Sequence, residues 1–395
     1  MNWDFFRPRE KFLVLEITPS GTNGLFLSVD DDRNIVFEKL KEGVPLAKFL
    51  KSPARRVAEK SWEGKHFFNA RRRVIAVADS TLATTIPVPL ALARDHANIK
   101  SRITVAELEN LIAQAMAKIF NGCRTEAAQR LHANDLDTVL VATRAEHFKV
   151  DGKALASAVG STGKRIELLL EFIFTTRPVF DDLKPFFGAS EGFFFAEAAQ
   201  THLQALSRVR KFPLNLIAAA EVGASLSILE KPKGDYAVLY RERLNWSFSE
   251  IVKAIMGAFA VSEATAHKLY CRYHRGALSA DATRAFKKVV EPALTAFFHE
   301  IEKGKIQGAA YLDMPHALPL PLPHRHGKVT LEEHPAREVV TELGFTLPGS
   351  GAKLQLTGEG RAIPRLLLYF VEAYFDKSNS EINQKLRRRL HWLAG

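Results

Sequence analysis

The chain has 395 residues, of which 47% are hydrophobic and 25% charged, and its formal net charge is +11. These proportions are typical of a globular protein of two to three domains and exclude a disordered or fibrous chain. The positive charge indicates an anionic partner: a membrane surface, a nucleic acid or an acidic peptide. Cys123 and Cys271 make no disulfide framework, so a reducing cytosol is expected. Neither a signal peptide nor a membrane-spanning helix is expected.

The pattern of apolar residues predicts a mixed α/β chain that begins with strands. Strands are predicted at 12–17, 24–30, 34–40, 73–79, 83–88, 137–143, 146–150, 165–174, 214–219, 224–230 and 235–243. Helices are predicted at 104–119, 124–132, 152–158, 178–186, 195–207, 247–259, 262–273, 280–303, 334–342, 362–376 and 380–393. Thr104 and Glu107 form a capping-box pattern at the first helix, and Pro292 predicts a kink or break in the eighth.

Two stretches, 12–29 and 216–229, share one layout of buried strand, tight turn and second strand. This repeated hairpin resembles the two phosphate-binding hairpins of the actin-like ATPases. In those proteins an aspartate acts through Mg²⁺, and glycines let backbone N–H groups approach phosphate. Here Glu16 and Glu221 stand at the aspartate positions, and Thr18 and Pro19 replace the first glycine.

Further segments, taken in order, make nearly the whole chain resemble the FtsA-like bacterial cell division proteins of this superfamily. The Ile-Thr start within 102–108, the Asp-Gly turn at 151–152 and the glycine hairpin at 159–167 are similar to an inserted subdomain of that family, called 1C. The stretch 262–270 resembles the family's Ala-Glu-x-x-Lys helix, and 287–292 resembles the helix before its last nucleotide-binding segment.

The resemblance implies an α/β, actin-like (ribonuclease H-like) fold of two domains with an inserted α+β 1C subdomain. The implied parts are the first half of domain 1 at 1–89, the 1C-like subdomain at 90–177, the remainder of domain 1 at 178–211, domain 2 at 212–376 with a smaller subdomain at about 247–300, and a C-terminal basic amphipathic helix at 377–395.

The resemblance also implies ATP and Mg²⁺ as cofactors, although the turns depart from the family pattern. The family's third, adenosine-packing turn has two candidates: 308–319 fits by chain order, which is favoured, and 356–364 fits by literal match. Asn245 and Trp246 replace a Gly-Gly pair, and the indole is expected towards nucleotide space. The candidate residues of this eroded site are Glu16, Thr18, Ser20, Glu221, Gly223, Ala224, Asn245, Leu312, Asp313, Gly358 and Gly360. Weak or absent ATP binding, no catalytic residue and no metal centre are expected.

The last predicted helix combines a short apolar stripe with basic residues. That pattern favours an interfacial helix on an anionic membrane, which the FtsA resemblance also implies. A last helix packed on its own domain with a solvated basic face also fits it. The candidate lipid contacts are Ile382, Lys385, Leu386, Arg387, Arg388, Arg389, Leu390, Trp392 and Leu393.

Three functions follow from the resemblance. The favoured one is a cytoplasmic FtsA-like adaptor that links an FtsZ-type filament to the inner face of the cell membrane. The others are a PilM-like platform protein of a type IV pilus and an active ATPase or kinase, which the lost glycines disfavour. The acidic C-terminal peptide of FtsZ would meet Arg272, Arg275, Arg284, Lys287 and Lys288. Self-association into actin-like filaments is also implied, and no nucleic acid partner is expected.

Overall fold

A computed structural model describes residues 10–46, 72–95, 99–187, 193–219, 223–231, 237–314, 317–348, 355–357, 362–376 and 381–386. The chain divides into two compact units. The first contains the described residues of 10–209 and 336–386, and the second contains those of 210–231 and 237–335.

The strands are β1 (Glu10–Thr18), β2 (Gly21–Val29), β3 (Ile35–Val44), β4 (Arg72–Ala78), β5 (Ala83–Ala93), β6 (Thr138–Val150), β7 (Lys153–Ala154), β8 (Arg165–Thr176), β9 (Phe193–Glu197), β10 (Leu214–Ala219), β11 (Ala224–Glu230), β12 (Val238–Leu244), β13 (Gly308–Asp313), β14 (His324–His326), β15 (Val329–Glu332) and β16 (Gln355–Thr357). The helices are α1 (Val105–Leu131), α2 (Arg177–Phe187), α3 (Ala198–Ser207), α4 (Ser249–Phe259), α5 (Glu263–His274), α6 (Ala280–Lys303), α7 (Ala336–Glu342) and α8 (Ile363–Phe375). Residues 381–386 are also helical.

The central sheet of the first unit has the order β16-β3-β2-β1-β4-β9. Strands β1, β2 and β3 form an antiparallel meander, and β4 and β9 continue the sheet parallel to β1. One face of β1 and β2 packs on α8, where Phe12 meets Phe370 edge to face at 5.0 Å between ring centroids. Successive side chains of β1 face opposite sides of the sheet. The register of β1 in the sheet therefore determines which of its side chains pack on α8.

The second unit repeats this arrangement with a sheet of order β12-β11-β10-β13-β15-β14. Here β10, β11 and β12 form the antiparallel meander, and β13 and β15 run parallel to β10. Helices α4, α5 and α6 contribute to an apolar core in this unit, together with Trp246 and Phe297. Two sheets with the same internal order of strands are the duplicated layout of the actin-like fold, as the paired hairpins predicted.

An additional α+β subdomain lies between β4 and β9 in the chain. Its antiparallel sheet has the order β5-β8-β6-β7, and α1 packs on it. The buried guanidinium of Arg94 connects three of its segments. It donates hydrogen bonds to the Glu107 carboxylate at 2.7 and 2.9 Å, and to the carbonyls of Ser101 and Gly163 at 3.1 and 3.0 Å. Strand β5, the first strand of this sheet in the chain, begins at Ala83, seven residues before the expected start at residue 90.

One expected domain boundary differs from the structure. Domain 2 was expected to run to residue 376, but α7, β16 and α8 belong to the first unit. The physical reason is that β16 pairs in parallel with β3, and Leu366 and Phe370 of α8 are buried against the β1 and β2 face. The chain therefore returns to the first unit after completing the second.

Some local elements also differ from expectation. The helices expected at 104–119 and 124–132 are one helix, α1, and α6 continues through Pro292 without a break. No helix forms at 152–158; a turn in which Asp151 and Gly152 have φ of 47° and 80° is followed there by strand β7. The Asp151 carboxylate accepts hydrogen bonds from the backbone N–H groups of Lys164 and Arg165, which lower its pKa and hold the turn against β8.

Candidate functional site

The first candidate turn is the β1–β2 hairpin, which closes with Thr18 opposite Gly21. The Thr18 hydroxyl donates to the Gly21 carbonyl at 2.8 Å and lies 3.0 Å from the Ser20 hydroxyl. Gly21 has φ of 141°, and a Cβ there would approach the backbone of Gly43 to 3.1 Å. The turn therefore retains a required glycine, while its two hydroxyl groups are engaged within the hairpin.

Glu16 lies two residues before the end of β1 and is 3% exposed. Asn23, its partner across the hairpin, donates from Nδ2 to Glu16 Oε2 at 2.7 Å. The Asn23 Oδ1 accepts from the N–H of Gly43 at 2.9 Å, which fixes the amide orientation. The carboxylate is thus held from the sheet side by a side chain of the neighbouring strand.

The other contacts of Glu16 come from α8. Arg365 donates from Nε to Oε1 at 2.5 Å and from Nη2 to Oε2 at 3.1 Å, and the Tyr369 hydroxyl donates to Oε1 at 3.2 Å. With Asn23, each carboxylate oxygen therefore accepts two hydrogen bonds, which matches the four lone-pair sites of a carboxylate. A forked arginine contact of this kind is the strong, geometrically specific form of an ion pair.

This geometry does not fit a Mg²⁺ site at Glu16. Mg²⁺ or its bound water needs carboxylate oxygens that can turn towards it. Here those oxygens are occupied, and a guanidinium carrying a full positive charge lies in direct contact with them. No group of three or more His, Cys, Asp or Glu side chains suited to a metal ion occurs among the residues that the structure describes.

The second candidate turn joins β10 and β11, which pair as far as Ala219 opposite Ala224. Gly223 has φ of 94°, a left-handed conformation that favours glycine, and Ala224 is buried. Glu221 lies outside the described residues, so its role as a carboxylate of this turn stays a prediction. The hairpin itself is formed as expected.

The structure corrects the expected direction of Trp246. Its indole is 4% exposed, donates from Nε1 to the Ala293 carbonyl at 2.9 Å and lies 4.7 Å from the Phe297 ring. The side chain therefore fills the core of the second unit rather than projecting into nucleotide space. Asn245 is exposed, and its backbone N–H donates to Glu300 at 2.8 Å.

The two segments that compete for the third turn lie in different sheets. Leu312 and Asp313 end β13, which pairs with β10 so that Asp313 lies opposite Ala218 at the end of the second hairpin's first strand. The alternative segment begins in β16, which pairs with β3 in the first unit. Gly358 and Gly360 lie outside the described residues. The choice between the two segments for an adenosine turn stays a prediction.

Sequence reasoning missed Asn23, Arg365 and Tyr369. A signal existed in α8, whose apolar run carries Arg365, Tyr369 and Glu372 at helical spacing, with Asp376 directly after its end. Along this face, Arg208 pairs with Glu372 through Nε at 2.8 Å and Nη2 at 3.0 Å. A mostly buried helix that keeps polar groups on one face indicates partners on the surface it covers.

A buried charge cluster lies where the inserted subdomain meets the central sheet. Arg144 donates to the Phe195 carbonyl at 3.0 Å, and Gln200 donates to Glu171 at 2.7 Å. Burial, reinforced by Glu146, raises the pKa of Glu171 to about 7, while Arg144 and Gln200 oppose the rise. Burial therefore favours the protonated, uncharged form of the Glu171 carboxyl group.

The expected partner-binding cations are all exposed on α5, its C-terminal cap and the start of α6. They are Arg272, Arg275, Arg284, Lys287 and Lys288. Arg284 pairs with Asp281 one turn earlier on α6. Between the two helices, the Tyr273 ring stacks on Phe286 at 4.5 Å. The two helices therefore pack through aromatic side chains and leave the cations at the surface.

The structure also differs from the expectation of a lipid-facing stripe at the C-terminus. Ile382 and Leu386 are 3% and 0% exposed, because both join the core of the inserted subdomain. Lys385 lies 3.9 Å from Glu109 of α1. Arg387, Arg388, Arg389, Leu390, Trp392 and Leu393 lie outside the described residues. No helix among those described is long and apolar enough to cross a membrane.

No family model matches this chain, and neither does any curated protein sequence. Similar solved structures include the PilM–PilN type IV pilus biogenesis complex, with 15% identity, a TM-score of 0.46, and coverage of 93% of this chain and 98% of that chain. Another is a Bacteroides thetaiotaomicron protein with an actin-like ATPase fold and unknown function, with 11% identity, a TM-score of 0.34, and coverage of 93% and 99%. A third is the 2-hydroxyisocaproyl-CoA dehydratase activator of Clostridium difficile with bound ADPNP, with 7% identity, a TM-score of 0.33, and coverage of 92% and 96%. These similarities are distant, and the actin-like fold rests on the strand order of the two sheets.

Proposed function

We propose that this chain is an actin-fold adaptor that works by binding partners and not by turning over ATP. The observation that carries the proposal is the ion pair between Glu16 and Arg365 at the first candidate turn, with atoms 2.5 Å apart. An arginine bound to the carboxylate that would serve Mg²⁺ removes both the ligand and the negative charge. Weak or absent ATP binding follows, and titration with Mg-ATP tests it.

Two adaptor roles are open to such a protein. One is the FtsA-like role, linking an FtsZ-type filament to the membrane, and the other is the PilM-like role of a pilus platform. The basic amphipathic C-terminus was the feature that favoured the first. Because Ile382 and Leu386 are buried in the folded chain, that feature no longer favours the FtsA-like role over the PilM-like role.

The partner-binding end of the adaptor is assigned to the exposed cations of α5 and α6. Lys287 and Lys288 lie on the surface of α6, between the buried side chains of Phe286 and Val290. A rigid helix that displays adjacent cations suits an acidic peptide, and complementary charge of this kind mainly accelerates association. The FtsZ-type C-terminal peptide is the partner in the FtsA-like form of the proposal.

The double substitution Lys287→Glu and Lys288→Glu should weaken binding of an acidic peptide by at least tenfold at low salt, because the charge change of −4 repels it. The difference should shrink as salt rises. Fluorescence anisotropy with a labelled FtsZ C-terminal peptide is the measurement. A control is Lys253→Glu on α4, a charge change of −2 at an exposed position on a different helix. Equal affinities for the wild type and the double variant would move the partner site elsewhere.

A further inference from the structure

Two buried polar contacts hold the inserted subdomain against the central sheet of the first unit. Arg144 of β6 donates to the Phe195 carbonyl of β9 at 3.0 Å, and its guanidinium lies 4.6 Å from the centre of the Phe194 ring. Gln200 of α3 donates from Nε2 to Oε1 of Glu171 on β8 at 2.7 Å. Arg144 and Glu171 lie opposite each other in the pairing of β6 with β8. The two contacts are therefore adjacent, and we call them together the subdomain joint.

The contact between Glu171 and Gln200 lacks one hydrogen bond that a proton would supply. The two residues are 5% and 7% exposed. Among the residues that the structure describes, neither Glu171 Oε2 nor Gln200 Oε1 has a hydrogen-bond partner. Both atoms only accept when the carboxylate is ionised, so they cannot bond to each other. A proton on Oε2 makes it a donor, and the carboxyl and amide groups can then form two parallel hydrogen bonds.

The charged groups around Glu171 also favour its uncharged form. Those whose charges act within this cluster come from β6, from the end of α3 and from the end of α8: Arg144, Glu146, Arg208, Glu372 and Asp376. With Glu171 ionised as well, four carboxylates would face two guanidinium groups, and Arg208 is already bound to Glu372. On β9, Glu197 accepts from a backbone N–H of β5, and β5 itself places the uncharged Pro87 opposite Glu171. A proton on Glu171 therefore reduces an excess of buried negative charge.

We propose that the proton on Glu171 controls the subdomain joint, closing it when bound and loosening it when released. In the protonated form, Glu171 and Gln200 form both hydrogen bonds, and the inserted subdomain is held on the central sheet. In the ionised form, a buried carboxylate oxygen is left without a donor, and opening of the joint relieves this by admitting water. The device goes beyond the proposed adaptor function, because it shares no residue with the Glu16 ion pair or with the cations of α5 and α6.

The direction of the pH dependence follows from the raised pKa of Glu171. Burial is the main cause, Glu146 adds to it, and together they raise this pKa to about 7, above that of an exposed glutamate. The closed joint therefore binds a proton that the open joint has released. Its stabilisation is complete below the ordinary pKa of glutamate and is lost as the pH rises through about 7.

One variant keeps the shape of the protonated carboxyl group and cannot ionise, namely Glu171→Gln. Glu167→Gln removes a charge from the same strand at a partly exposed site and is the matched control. Hydrogen–deuterium exchange is measured by mass spectrometry at about pH 6 and about pH 8.5, on either side of the pKa of Glu171. Peptides from β9 and α3 report on the joint, and peptides from β10 and β11 are the reference in the second unit. Rates are compared between proteins at one pH, which cancels the effect of pH on the exchange chemistry itself.

In β9 and α3, the ratio of the wild-type exchange rate to that of Glu171→Gln should rise about tenfold between the two pH values, because the closed joint loses its proton over this range while the open joint is already ionised. The ratio to Glu167→Gln should stay constant, as should every ratio in β10 and β11. A ratio to Glu171→Gln that is the same at both pH values, or one that rises equally in the second unit, would overturn the proposal. If circular dichroism shows that Glu171→Gln is unfolded, the ratio of exchange in β9 and α3 to that in β10 and β11 of the wild type provides the same test.

Discussion

Replacing Arg365 with alanine should lower the free energy of unfolding of the first unit by about 3–5 kcal/mol. The reason is that removing one partner of a buried ion pair leaves the other charge buried without compensation. The Glu16 side chain is 5% exposed and would keep only Asn23 and Tyr369 as donors. Urea unfolding followed by circular dichroism is the measurement.

Two comparisons make this test specific. Arg337→Ala, at an exposed position on α7 of the same unit, should change stability by less than about 0.5 kcal/mol. Adding Glu16→Gln to Arg365→Ala should recover part of the loss, because no buried charge then remains, and the double-mutant cycle gives the coupling. A cost for Arg365→Ala no larger than that of Arg337→Ala would contradict the assigned ion pair.

A loss of similar size, about 3–5 kcal/mol, is expected for Arg94→Ala in the inserted subdomain. The Arg94 side chain is 0% exposed, and its removal takes away the donor to the Glu107 carboxylate and to the carbonyls of Ser101 and Gly163. Arg94→Lys should recover little, because an ammonium group cannot reproduce a forked contact with a carboxylate and two carbonyls. Thermal melting monitored by circular dichroism measures both variants.

The neighbouring Arg102 provides the control for Arg94. Arg102 is exposed, so its replacement by alanine should leave the melting temperature nearly unchanged. If the two alanine variants had the same melting temperature, the hydrogen bonds of Arg94 would not stabilise this subdomain.

The parts of the fold that repeat a simple pattern were predictable from the sequence. The hairpins at 12–29 and 216–229 alternate apolar residues around tight turns, and both are present. The cap at Thr104 is also present, since its hydroxyl accepts from the N–H of Glu107. The Glu107 carboxylate, however, binds Arg94, because a buried guanidinium offers a stronger donor than a backbone amide at the helix start.

The parts that depend on distant partners were not predictable. Glu16 and Arg365 are 349 positions apart, and no local pattern indicates that α8 returns to β1. Trp246 was expected near nucleotide because a glycine pair is lost there, yet its indole finds an acceptor at Ala293 in the core. Likewise, the stripe that starts at Ile382 has the same period whether it faces lipid or protein, so sequence alone could not choose between them.

Isothermal titration calorimetry with Mg-ATP tests the central claim most directly, because it measures whether the ion pair of Glu16 and Arg365 has replaced the nucleotide site. No saturable heat is predicted at nucleotide concentrations up to about 1 mM. A dissociation constant of about 1 mM corresponds to a binding free energy near −4 kcal/mol, so any binding is predicted to be weaker than this. A dissociation constant of about 1 μM or tighter, near −8 kcal/mol, would contradict the account and restore an ATP-binding role.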